Sequence, residues 1–298
     1  MKRKRTPASA APGRSTRARK RSGSGAAARN EGEDLRSPAA AIAAHAGDPD
    51  FMTSLARGLA VLAAFSQQAR GRSIAQLSLQ TGIPRAAVRR CLHTLAHLGY
   101  VGVEDERTFV LKPHVLALGY AYLSSTPLVT SARPILDHVS ETLHESSSMA
   151  ILEGEDIMYV ARSTISARIM SFDLGVGSRL PAYCTSMGRV LLADLPPTEL
   201  SRLLRHAQLV AYTPRTLVTR EALEAIIGQA RHDGYSVVDQ ELELGLRSIA
   251  VPVRDSRGKV AAAINVSVQA GRVTTAEMQK RFVPVLHAAA RDLGMLIG

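Results

Sequence analysis

The chain has 298 residues, 46% of them hydrophobic but only 4% aromatic and none Trp, a length that suits two domains of ordinary size. No apolar run approaches the ~18 residues needed to span a bilayer, no apolar stretch follows the basic start as in a secretory signal, and the lone Cys91 and Cys184 offer neither a disulfide framework nor metal-ligand spacing, all of which fits a cytoplasmic protein. The net charge of +11 is uneven: residues 1–30 hold ten Lys/Arg and no acid, 51–112 eight basic against three acidic groups, and 113–298 eighteen of each, so polyanion contact is expected within the first 112 residues.

Residues 1–50 lack hydrophobic periodicity and predict a disordered basic tail, either a solubilising extension or a non-specific DNA-tethering arm. Leu55, Leu59, Leu62 and Phe65 then recur at helical spacing and predict an amphipathic helix from Thr53 to Ser66 with those residues inward. Ser73 is a plausible N-cap for a short helix with Ile74 and Leu77 inside, ending at Thr81-Gly82. Pro84 fits the first position of the next helix, which runs to Leu98 and buries Val88, Leu92 and Leu95. Runs 100–103 and 108–111 flank a polar turn and predict a β-hairpin. Helix, short helix, turn, helix and hairpin make a winged helix-turn-helix over 51–112.

A linker helix is predicted over 113–124 and a second helix over 128–144. Strands are expected at 148–153, 157–163, 168–172, 235–239, 247–254 and 260–268, with helices at 186–194, 198–207, 219–233 and 275–293. This order predicts an α+β domain over 125–298, an antiparallel sheet with helices beside it.

Helix 84–98 is about 22 Å long, enough to lie in a major groove. Arg85, Arg89 and Arg90 crowd the side opposite the apolar positions, with no acid among them. Arginine can bond guanine O6 and N7 together, so Arg85 and Arg89 are assigned to bases or adjacent phosphates and Arg90 to phosphate. Arg57, Ser73 and Arg107 in the wing are candidate backbone clamps.

The stretch Phe51–Leu111 resembles the DNA-binding domain of the isocitrate-lyase-regulator (IclR) family of bacterial transcription factors. The segments Arg179-Leu-Pro-Ala-Tyr-Cys-Thr-Ser-Met-Gly-Arg189, Val238-Asp-Gln-Glu-Leu-Glu-Leu-Gly-Leu-Arg-Ser-Ile-Ala250 and Ile264-Asn-Val-Ser267 look like its effector-domain motifs. Within the family, Phe51–Leu59, Gly82–Cys91 and Tyr183–Met187 are similar to the subgroup controlling aromatic-acid degradation through protocatechuate and β-ketoadipate. The resemblance covers roughly residues 50–296. It implies a GAF-like effector domain, a homodimer or tetramer, a palindromic or repeated promoter site, and RNA polymerase as a further partner.

By position in the family, Ser186 and Met187 meet the ligand, Asp239 matches an acidic position, and Leu246, Ser248, Asn265 and Ser267 follow on the strands. Ser186 and Met187 are bulkier than the family's usual Gly-Ala, which bears on pocket size. The residues themselves suggest hydroxyl and amide groups on an apolar cleft, with Arg162, Arg189 or Arg247 as a bidentate partner for an aromatic or dicarboxylic acid; for any single arginine a surface or structural ion pair is the more ordinary role. Tyr183 and Cys184 either pack on a ligand ring or fill core. No nucleophile elbow, phosphate loop or dinucleotide fingerprint is present, and His93 with His97 is a weak metal signal on a helix that must face DNA. The expected protein is a non-enzymatic, cofactor-free regulator; the alternatives are a metabolite-processing enzyme fused to a nucleic-acid module and an architectural DNA binder.

Overall fold

The computed structural model describes residues 37–65, 71–105, 107–163 and 174–297. The chain divides into two compact units, Met1–Lys112 and Pro113–Gly298. The basic stretch 1–36 and the strand expected at 168–172 lie outside the described residues.

The first unit opens with a helix that the reading of 1–50 as a uniform tail did not anticipate. Alanine-rich α1 (Pro38–Ala43) is capped by Ser37, whose hydroxyl accepts from Ala40 N at 3.2 Å. Its Ala39 and Ile42 pack on the core, and that burial holds so short a helix. Of the expected stripe, Leu55 and Leu59 on α2 (Thr53–Ala63) are 56% and 54% exposed, whereas Leu62 packs against the core and Phe65 enters it together with Val61 and Ala64. This helix is apolar on two sides, and spacing alone does not say which side meets the core.

The reciprocal Ser73–Gln76 capping box starts α3 (Ile74–Thr81), and Gly82 at φ 71° ends it in the left-handed conformation. The turn into α4 (Arg85–His97) is tied down by Ser78 Oγ donating to Ile83 O at 2.7 Å and by burial of Ile83. Pro84 is the N-cap, one position earlier than expected. Strands β1 (Val101–Asp105) and β2 (Thr108–Leu111) form the wing, and Arg72 pairs its backbone with Phe109 to anchor it.

The second unit begins with a 3₁₀ turn (Pro113–Val115) running into α5 (Leu116–Ser125), then α6 (Pro127–Leu143). Its sheet is antiparallel, in the order β5-β4-β3-β8-β7-β6. The strands are β3 (Ser146–Glu153), β4 (Asp156–Ser163), β5 (Arg179–Pro181), β6 (Ser236–Asp239), β7 (Leu246–Arg254) and β8 (Val260–Gln269). The short edge strand β5 went unforeseen. Helices α7 (Ser186–Leu192), α8 (Pro197–His206) and α9 (Arg220–Asp233) precede β6, and α10 (Thr275–Met295) ends the fold.

The two faces of the sheet differ in bulk. Met149, Ile249, Val251, Ile264 and Val266 project toward α6 and α10. The alternate positions carry Ala150, Ala250 and Ala263 toward α7 and α9, continued by Ser248, Asn265 and Ser267. Small side chains let α7 approach closely, and all seven of its residues are buried. Period-two alternation thus gives one filled face and one where space remains beside α7.

Candidate nucleic-acid interface and ligand cavity

Helix α4 buries Val88, Leu92 and Leu95 and turns Arg85, Arg89 and Arg90 outward. None of the three makes an ion pair among the described residues. His93 and His97 share that outer face, their rings 4.3 Å apart, with His97 Nδ1 2.9 Å from His93 O. No cluster of three metal-ligating side chains exists among the described residues.

Arg57 is half-buried beside Cys91, whose thiol is raised mainly by burial and pulled back by Arg57 and Arg90. The Ser73 hydroxyl accepts from Gln76 N at 3.2 Å as a cap, which leaves its O–H to donate to a phosphate oxygen. Arg107 is exposed at the turn of the wing.

In the second unit, Cys184, Ser186, Met187, Leu246, Ser248, Asn265 and Ser267 line one cavity. Tyr159, Leu174, Leu180, Thr185, Val238 and Leu242 complete it. Tyr159 lies upstream of the motifs and carried no signal in sequence, while Leu180 lies inside the Arg179–Arg189 motif but was not singled out there. The cavity holds about 30 Å³, room for water but not for a ring, so an aromatic acid must displace side chains such as Met187, Leu242 or Leu246. Its polar groups suit a neutral hydrogen-bonding site: Asn265 Nδ2 donates to Ser267 Oγ at 3.3 Å, and burial raises the Tyr159 phenol to about 12. The buried Ser186 hydroxyl has no partner among the described residues, and a buried polar group left so is costly unless something fills its place.

Five expected residues fall outside this lining, each because the protein itself satisfies it. Tyr183 is buried, its hydroxyl donating to Val210 O at 2.6 Å and accepting from Val210 N at 2.9 Å, so it pins the loop before Thr213. Arg162 donates to Leu174 O. Arg247 donates to Asp239 at 2.8 Å and to Ala270 O at 3.1 Å, and its guanidinium holds the Asp239 carboxyl below the usual carboxylate range. Asp239 also takes Arg215 at 2.9 Å. Arg189, the third arginine considered, is 1% exposed and spends itself on Tyr183 O at 2.9 Å and Glu241 at 2.7 Å. No arginine side chain therefore reaches the cavity among the described residues, and spacing could not reveal these competing partners. Cys184 lines it as a neutral thiol, burial pushing it up to about 12.

The loop above the cavity is held by the same network. Glu241 accepts from Leu217 N at 3.1 Å, and Thr213 and Thr216 donate to Gln240 O at 2.7 Å and Glu241 O at 2.6 Å. Gly188 lets α7 press against Ala182: a Cβ there would lie 2.1 Å from Ala182 O.

Both units match known families. Residues 54–105 match the IclR helix-turn-helix domain, and residues 120–295 the bacterial transcriptional regulator IclR C-terminal domain. The chain is 60% identical over 259 residues to the Pca regulon regulatory protein of Pseudomonas putida, covering 87% of this chain and 89% of that one. A crystal structure of a transcriptional regulator from Rhodococcus sp. RHA1 is 45% identical, with a TM-score of 0.71 over 83% of this chain and 98% of its own. The inducer-binding domain of a double mutant of the PobR transcription factor from Acinetobacter, in complex with 3-hydroxybenzoic acid, is 28% identical, with a TM-score of 0.54 over 56% of this chain and 98% of its own. With a helix-turn-helix in one unit, a cavity in the other and both family domains in order, the chain belongs to the IclR family of bacterial transcriptional regulators.

Proposed function

We propose that this regulator binds promoter DNA of aromatic-acid degradation genes through α4, as a cytoplasmic homo-oligomer, and that a small aromatic or dicarboxylic acid in the cavity beside α7 alters that binding. The observation that carries the reading is the unpaired Arg85–Arg89–Arg90 face on a helix whose other side is core. The regulators named above support the aromatic-acid pathway, and 3-hydroxybenzoic acid on PobR supports the ligand class. Assembly is supported by apolar surface left on both units: Met52, Leu55 and Leu59 on the first, and Leu116 and Tyr120, 74% and 71% exposed, on α5. No described helix is long and apolar enough to cross a membrane. The alternatives of a fused enzyme and an architectural binder have no observation in their favour.

Fluorescence anisotropy of the full chain on its own upstream DNA, against excess scrambled DNA and with a panel of hydroxybenzoates and dicarboxylic acids, tests the proposal. Specific binding changed by one acid supports it. Failure on upstream DNA and in a random-site selection overturns it.

Arg85→Ala or Arg89→Ala is expected to weaken cognate binding by ~1–3 kcal/mol, roughly 5–150-fold, while scrambled DNA is held nearly as before. Equal weakening on both would make that arginine a phosphate contact. Ser267→Phe is expected to abolish the ligand response and leave DNA affinity intact, because its side chain would fill the cavity. A response of wild-type size would place the effector elsewhere.

A further inference from the structure

A second, larger cleft of about 650 Å³ opens elsewhere in the same unit, within the size range of ligand sites. Ile151 of β3, Ala261 of β8, Tyr122 of α5, Leu195 and Leu296 are among the residues that line it. Tyr122 and Leu296 are 44% and 49% exposed, apolar surface left wet at this site.

Two charged residues line the cleft, and only one is already spoken for. Asp194 accepts from the Arg254 guanidinium at 3.0 Å and from Val260 N at 3.2 Å. Lys259 makes no ion pair among the described residues. An apolar cleft with one uncompensated ammonium fits an apolar body bearing a single negative charge.

The cleft also meets the far end of α7. Ser186 and Met187 at its start line the small cavity, while Leu191 near its end lines the cleft. A seven-residue helix buried throughout moves as a unit, because packed interiors transmit displacement. We propose that this cleft is a second ligand site, for a small apolar monocarboxylate, linked through α7 to the cavity at its other end. The site stands independently of the function proposed above; the linkage rests on it.

The test is isothermal titration of the full chain with 2-naphthoate, and with methyl 2-naphthoate as the uncharged control. Wild type should bind one naphthoate per chain, and Ser267→Phe, which blocks only the small cavity, should bind it equally. Lys259→Ala should weaken naphthoate about three- to fivefold, as for a partly exposed charge pair. Lys259→Glu should weaken it further, and neither change should affect the ester. Ala261→Phe should abolish binding, and the exposed Lys259 variants keep the test decisive should that core-facing change disturb folding. No binding to wild type, wild-type affinity in both Lys259 variants, or loss of binding in Ser267→Phe would each overturn the site. Linkage is read as a several-fold change in 3-hydroxybenzoate affinity at saturating naphthoate. An unchanged affinity removes the linkage and leaves the second site in place. If Ser267→Phe leaves the DNA response intact, the effector reading fails, whereas the naphthoate result is unaffected.

Discussion

Gly188→Ala is expected to destabilise the second unit by about 3–5 kcal/mol, at the high end for one added methyl group. The new Cβ would sit 2.1 Å from Ala182 O and 2.4 Å from Ala182 Cα. Those are backbone atoms, with no flexible end to swing away. Relief requires α7 to lift from the Ala182–Cys184 turn, and α7 is buried on every side. Six of the seven tyrosines lie beyond residue 112, so the urea midpoint read by near-UV tyrosine circular dichroism reports this unit. A loss below about 1 kcal/mol would show that the turn yields, and the close approach would then be incidental to the cavity.

Glu241→Ala should cost a similar amount, about 3–5 kcal/mol, by leaving the Arg189 guanidinium buried opposite an empty position. Arg189 retains only its bond to Tyr183 O among those described, and Leu217 N loses its acceptor as well. The double change Arg189→Met with Glu241→Leu should recover most of the loss, since two apolar side chains carry no desolvation penalty. A double variant no more stable than Glu241→Ala would mean that the Leu217 contact, and not the charge pair, holds the loop. Because this network fixes the segment carrying Leu242 and Leu246, Glu241→Ala should also blunt any ligand response before it affects DNA binding.

The winged helix-turn-helix was legible because each of its signals is local. Ser73 with Gln76, Gly82 and the Val88–Leu92–Leu95 stripe act within one turn of chain, and the structure uses each as spacing suggests. The exposed start of the α2 stripe shows the limit of the same reasoning. Leu55 and Leu59 have helical period, yet Val61 is the residue without exposed surface, because the partner surface chooses the buried stripe. Likewise Pro38–Ala43 read as tail until Ala39 and Ile42 had a core to meet.

In the effector unit, the small and polar residues of β7 and β8 were readable as one lining, since alternation places Ser248, Asn265 and Ser267 on a common face. The fate of the arginines was not. A guanidinium goes to whichever acceptor the fold brings near, and Arg162, Arg189 and Arg247 meet acceptors 12, 52 and 8 residues away. The amino-acid sequence by itself determined most of the elements, the two-unit order and the cationic face of α4, because caps, periodicity and charge act over a few residues. The tertiary structure alone decided which arginines are consumed, how little room the cavity keeps and where α7 abuts it. Those outcomes depend on close packing and on competition between partners distant in the chain.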